Sequence, residues 1–138
     1  MSCIFCRIVK GEIAAEVVAK DDRTLAFLDV SPLADGHVLV VPRAHVALLE
    51  DLAPEDVHAL FAAVARLAGP AREAAAAEGS TVGINNGPAT GQTVPHVHVH
   101  IVPRRSGDGG GTVHSIFRPR PTRPVEDVAR DIRRLAGS

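Results

Sequence analysis

The sequence predicts an α+β fold in which a five-stranded antiparallel sheet carries two main helices. Three observations predict it. Strand-like and helix-like runs follow the order strand, strand, strand, helix, strand, strand, helix. Neighbouring strands are joined by short turns, which favours antiparallel pairing over crossovers. The 138 residues suit one domain and show no internal repeat, so 1–138 is read as a single unit, with 118–138 as a C-terminal connector and helix.

Each element has its own signal. Glu16–Lys20 (EVVAK) and Thr24–Val30 (TLAFLDV) are short strands around the polar turn Asp21-Asp22-Arg23, the second ending at Ser31-Pro32. Gly36–Pro42 (GHVLVVP) is a third strand, with His37 at its start. Pro54 suits the first turn of a helix, and Glu55 and Asp56 favour its positive end. Val57, Leu60, Phe61, Val64, Leu67 and Ala68 follow at helical spacing. Pro70 is expected to kink or interrupt this helix. An alanine-rich turn leads to Gly79, and Thr81–Asn85 is a fourth strand. Asn86–Thr93 (NGPATGQT) is a loop by its Gly and Pro content. The fifth strand begins with His96–His100 (HVHVH), between Pro95 and Pro103. Ser106–Gly111 is a flexible loop and Arg118–Pro124 (RPRPTRP) an extended connector. Pro124 opens a last helix, with Val125, Val128, Ile132 and Leu135 on one face.

Composition narrows the functional classes. Hydrophobic residues make up 46% of the chain, enough for a core, but the aromatics are four Phe, so Val, Leu, Ile and Ala must build it. A formal net charge of −1 gives no general attraction to nucleic acid or to a membrane surface, and neither is expected as a partner. The start, MSCIFCRIVKGEI, lacks the apolar run of a secretory signal, and no stretch approaches the ~18 apolar residues of a membrane span. The expected address is the cytoplasm, where two cysteines are free or metal-bound rather than bridged.

The chemistry concentrates in HVHVH. On a strand, His96, His98 and His100 share one face, while Val97, Val99 and Ile101 share the other. A polar outer face is usually Thr, Lys, Glu or Ser; three imidazoles in a row point to chemistry. Metal ligation by all three is disfavoured, because His96 and His100 lie about 13 Å apart along a strand. Nucleophilic catalysis suits them better: a neutral imidazole attacks phosphorus through one nitrogen when its other N–H is held. Phosphate-binding candidates lie just upstream in Asn85, Gln92, Thr93 and the backbone around Gly91.

HVHVHIV fits the His-φ-His-φ-His-φ-φ pattern, with φ apolar, of the histidine triad (HIT) family. The resemblance extends through CIFCRIVKGEI, DDRTLAFLDVSP, GHVLVVPRAH and NNGPATGQTVPHVHVHIVPR. It implies a nucleotide hydrolase or transferase acting at an α-phosphate, and a homodimer whose sheets join into one ten-stranded sheet. His98 resembles the nucleophile, oriented by the backbone carbonyl of His96. His100 would bind the α-phosphate or bridging oxygen, and His37 would support the proton relay. Asn85 and Thr93 match phosphate-binding positions, and Gln92 the glutamine near the leaving group. Asp29 matches the carboxylate on the ribose hydroxyls; Ile4, Phe5, Ile8, Phe27 and Leu39 match the apolar base pocket, with a purine as the family expectation. No catalytic metal is required.

Cys3-Ile-Phe-Cys6 is a C-x-x-C, by itself shared by zinc sites and redox motifs. Bacterial relatives that begin CIFC often hold a structural zinc, and the resemblance implies Cys3, Cys6, His45 and His96 as its ligands. His58 is expected on the helix surface, and nothing in the sequence assigns a role to His114. Two other classes stand beside the hydrolase: a nucleotide-binding or interaction module with incidental hydrolysis, and a metal-dependent hydrolase using the H-x-H pair. The leaving group stays open. CIFCRIVKGEI resembles the general bacterial branch, and GQTVPHVHVHIVPR the fragile-histidine-triad branch that hydrolyses dinucleoside polyphosphates.

Overall fold

The computed structural model describes residues 2–118 and 120–137. Its contacts divide the chain into two compact units, 1–108 and 109–138. The first holds α1 (Ile4–Val9), β1 (Val17–Lys20), β2 (Thr24–Leu28), β3 (Val38–Pro42), α2 (Pro54–Ala74), β4 (Gly79–Gly83) and β5 (Val99–Arg104). The second holds a single 3-10 turn, Val113–Ser115, and α3 (Val125–Leu135).

The strands form one antiparallel sheet in the order β1-β2-β3-β5-β4. Period-two alternation divides its side chains between two apolar layers. On one face Ala26, Val38, Val40, Val97, Val99 and Ile101 pack against Leu60, Ala63, Val64 and Ala71 of α2. On the other, Leu25, Phe27, Leu39 and Val41 pack with Phe5 of α1. Register sets a row across this second face, with Phe27 opposite Leu39 and Leu39 opposite His100.

Three expectations need correction. Pro70 does not interrupt the long helix, which runs unbroken to Ala74. Pro70 is exposed, so its ring and its missing N–H fall on the solvent side, while the buried face continues through Ala71. The fifth strand joins the ladder at Val99, not at His96. The backbone ahead of it is held elsewhere: His96 N–H donates to the Val94 carbonyl at 2.8 Å, and Val97 N–H to Val46 at 2.8 Å. The third is a helix absent from the expected order, α1, which carries Ile4, Phe5, Ile8 and Val9 at helical spacing. The remaining strands shift by one or two residues at their ends, as at β4, observed over Gly79–Gly83.

In the second unit, α3 starts after Pro124 as expected, with Glu126 and Asp127 in its first turn and Arg133 and Arg134 in its last. Val125, Ile132 and Leu135 are exposed. Residues 118 and 120–124 of the connector form no helix or strand; the expectation at Pro119 lies outside the described residues. Among the described residues, no helix is long and apolar enough to cross a membrane.

Candidate functional site

The sheet face opposite α2 carries a groove of about 390 Å³, within the range of small-ligand sites. Its apolar half comes from two sources. α1 supplies Ile4, Phe5 and Ile8; the sheet supplies Phe27 and Leu39. Phe5 meets Phe27 edge-on at 5.6 Å between centroids, a favoured aromatic geometry that fixes the helix on the sheet. The polar half consists of Asp29, Thr93, His98 and His100. The structure therefore brings together nine of the residues singled out in the sequence. Ile13, Ala14, Ala15, Leu28, Val30 and Val94 also line the groove; the quoted motifs span Ile13, Leu28, Val30 and Val94 without assigning them a role, and Ala14 and Ala15 lie outside them.

The histidines are held individually. His98, buried, donates its Nδ1–H to the His96 carbonyl at 2.8 Å. A carbonyl only accepts, so in the neutral ring Nε2 of His98 carries the lone pair. Phe5 packs edge-on to the same ring at 4.9 Å. The His100 ring lies 5.0 Å from His98 between centroids, and its Nδ1 is 2.9 Å from Nε2 of His37. His37 is only 2% exposed and stands behind His100 rather than in the groove. Burial lowers the pKa of both: His100 falls to about 4, with His98 and His37 nearby adding to the effect, and His37 is lowered as well; Asp29 opposes both shifts. Both rings are therefore neutral at pH 7.

Asp29, His37 and His100 also offer ligand atoms within 4.8 Å of one another. The nitrogens that His37 and His100 turn toward each other already hydrogen-bond, so the pair is satisfied by itself.

The loop ahead of β5 is braced rather than loose. Gln92 accepts from Gly87 N–H at 2.8 Å and donates to the carbonyls of Ala47 and Val94 at 2.8 and 3.1 Å. Gly91, at φ +98, closes the 3-10 turn Pro88–Thr90 in a left-handed conformation. Asn85 is exposed, and neither it, Gly91 nor Gln92 lines the groove. The neighbouring Asn86 instead ties this loop to the 49–50 turn, through Leu49 N–H and Glu50.

A second cluster lies behind Phe5. Cys3, Cys6, His45 and His96 bring their ligand atoms within 4.8 Å of one another. Nδ1 of His96 is 3.3 Å from Nδ1 of His45 and 3.6 Å from each sulfur, and Cys6 Sγ is 3.2 Å from Nδ1 of His45. A tetrahedral ion with Zn–N of about 2.05 Å and Zn–S of about 2.3 Å has edges of about 3.3 Å for N–N and about 3.5 Å for N–S. The four residues fit such an ion. His96 is fully buried and donates its Nε2–H to the Pro42 carbonyl at 2.8 Å, which turns Nδ1 toward the sulfurs. Burial holds the His96 pKa down and the Cys6 pKa up, so both groups are neutral in the metal-free cluster. His58 is exposed on α2.

Comparison with known proteins agrees with this geometry. The HIT domain model matches residues 10–107. The chain is 41% identical over 113 residues to adenosine 5'-monophosphoramidase of Schizosaccharomyces pombe, covering 80% of each. It is 38% identical over 99 residues to the asymmetrical bis(5'-nucleosyl)-tetraphosphatase of the same yeast, covering 72% of this chain and 54% of that one. A Zn-bound histidine triad family protein of Mycobacterium smegmatis superposes with TM-score 0.76 at 42% identity, over 94% of this chain and 89% of the other. The triad, the fold and these matches converge: the chain belongs to the histidine triad (HIT) family.

Proposed function

We propose that the chain is a nucleotidyl hydrolase or transferase that cleaves purine nucleotide derivatives at the α-phosphate. The observation that carries this reading is the placement of His98: its Nδ1–H is held by the His96 carbonyl and its ring lines the groove. In the first step His98 Nε2 attacks the α-phosphorus, the bond to the leaving group breaks, and that group departs with a proton. In the second, water displaces His98 from the nucleotidyl-histidine and a nucleoside monophosphate leaves. His100, backed by His37, faces the phosphate. Thr93, Asn85 and the Gly91 backbone serve the phosphate, and Gln92 braces the loop at the leaving-group side. Asp29 holds the ribose, and the base enters among Ile4, Phe5, Ile8, Phe27 and Leu39. The activities named for the yeast relatives support the reaction class and differ in leaving group.

Zinc belongs to the same proposal. Cys3, Cys6, His45 and His96 would hold it, and four protein ligands make it structural, with no position left for a reacting water. It would anchor α1, which carries the apolar half of the groove. The proposal further includes one domain over 1–138, a cytoplasmic address, and a homodimer with a ten-stranded sheet; the outer edge of β4 is free to pair in this way.

The test is a panel of adenosine phosphoramidates, dinucleoside polyphosphates and nucleotide sugars, compared by kcat/KM, with wild type and His98→Asn side by side. Loss of turnover in the variant supports the nucleophile. Near-normal turnover removes it. Loss of the chemical step on brief chelation, with α1 still folded, would favour a metal-dependent hydrolase instead.

A further inference from the structure

We infer that the turn from Asp29 to His37 is a tautomer lock: the backbone N–H of Leu33 decides which nitrogen of His37 is protonated, and His37 in turn obliges His100 to present an N–H to the groove. The catalytic use of that N–H rests on the hydrolase reading; the tautomers do not.

A ring nitrogen of a neutral imidazole either donates or accepts, and a backbone N–H can only donate. Leu33 N–H points at Nδ1 of His37 from 3.1 Å, so Nδ1 holds the lone pair and the proton sits on Nε2. That Nε2 lies 2.9 Å from Nδ1 of His100 and donates to it. His100 must then carry its own proton on Nε2. His98 is set the opposite way, with Nδ1–H on the His96 carbonyl. The two rings that line the groove thus offer complementary functions: a lone pair on His98 for phosphorus and a donor on His100 for a phosphate oxygen. Burial, which keeps both His37 and His100 neutral, preserves the arrangement.

The obvious rival for orienting His37 is Asp29. Its Oδ2 is 3.8 Å from Nδ1 of His37, beyond hydrogen-bond reach, and its Oδ1 accepts from Ser31 N–H at 2.9 Å. An aspartate-oriented imidazole would need a proton on Nδ1, where the Leu33 N–H already points. The amide, not the carboxylate, therefore sets the ring.

The turn is built to hold that amide. Asp29 N–H donates to the His37 carbonyl at 3.0 Å and His37 N–H to Ala34 at 3.2 Å. Gly36 adopts φ +80, and a Cβ there would lie 3.0 Å from the Ala71 carbonyl oxygen and 3.1 Å from Pro103. Only glycine fits where the turn meets α2 and β5. Leu33 and Gly36 are positioning residues, acting on the groove through His37.

The experiment is a long-range 1H–15N correlation spectrum of the 15N-labelled chain near pH 7.5. His37 and His100 are expected as Nε2–H tautomers and His98 as Nδ1–H; His37 or His100 found as Nδ1–H or as imidazolium overturns the lock. In Asp29→Asn the His37 and His100 patterns should persist, and a switch there transfers the role to the carboxylate and overturns it too. Leu33→Pro removes the amide hydrogen without touching a groove-lining residue. It should give mixed His37 tautomers and a kcat on a fluorogenic adenosine phosphoramidate lowered roughly 10- to 100-fold, with KM within a few-fold. An unchanged spectrum in folded Leu33→Pro refutes the lock. Because the wild-type spectrum alone can refute it, the idea stays testable if a variant does not fold. The expected tautomers in a chain inactive on every nucleotide tried would uphold the lock and sink the hydrolase reading alone.

Discussion

At the scale of single residues, the proposed roles of His98 and Asp29 predict different kinetic signatures. His98→Ala or His98→Asn should lower kcat by several orders of magnitude and leave nucleotide binding measurable by calorimetry, because only the covalent route is lost. Asp29→Ala should instead raise KM for ribonucleotides more than it lowers kcat, since contacts to sugar hydroxyls change little between ground and transition states. A 2′-deoxy substrate should feel this change much less; equal effects on both sugars would remove Asp29 from the ribose. His100 adds a pH dependence of stability. It titrates at about 4 when folded, against 6.5 for an ordinary histidine. Between these values the unfolded chain binds more protons, so stability is full above about pH 6.5 and falls as pH drops toward 4. The urea midpoint should decrease from pH 7.5 to pH 5, and His100→Asn should flatten part of that slope. His37 and His96, also lowered by burial, contribute in the same direction.

At the scale of elements, α1 links two sites. Its Phe5 meets the rings of both His96 and His98, at 6.0 and 4.9 Å between centroids; Cys6 lies within the helix and Cys3 at its N-cap. Six residues do not make a stable helix alone, so tertiary packing must hold it, and the proposed zinc would add to that. Purified protein should carry about one zinc per chain by elemental analysis. Cys3→Ser with Cys6→Ser should lose the metal and thermal stability first, while keeping a slow His98-dependent reaction. A metal-free protein that gains no stability on adding zinc would leave the cysteines as ordinary thiols. The long helix offers a separate test. Pro70→Ala restores an N–H on an exposed face, where interior proline costs about 3 kcal/mol, offset by about 0.4–1 kcal/mol of unfolded-state entropy. Denaturant unfolding should show a gain of about 2–2.6 kcal/mol.

At the scale of the whole molecule, the sheet leaves β4 with an unpaired outer edge, and Val82 on that strand and Phe61 on α2 are partly exposed. Among the described residues no strand pairs with that edge, and an unpaired edge that carries apolar side chains invites pairing with another copy. Sedimentation should give twice the mass of one chain, and Val82→Lys should shift the equilibrium toward the monomer. A monomer at all concentrations would refute the joined sheet.

The sequence by itself determined the succession of strands along the chain, the long helix, the terminal helix and the histidine run, because these depend on local patterns: alternating Val, helical spacing and closely spaced histidines. Its motifs also named most of the groove. It did not reveal α1, since six residues of mixed apolar and polar type carry too weak a periodicity against the Cys-x-x-Cys reading, although Ile4, Phe5, Ile8 and Val9 held the signal. It misjudged Pro70 because whether a proline breaks a helix depends on which side faces solvent. The family resemblance already implied that His96 serves a different task from His98 and His100; only the tertiary structure supplied the partners that hold each ring. Val46 pins the backbone at Val97, the Pro42 carbonyl turns His96 toward the cysteines, and His37 backs His100. Those partners lie 51, 54 and 63 residues away along the chain. Spacing along a strand fixes which face a side chain takes; hydrogen bonds from distant segments fix which nitrogen it presents.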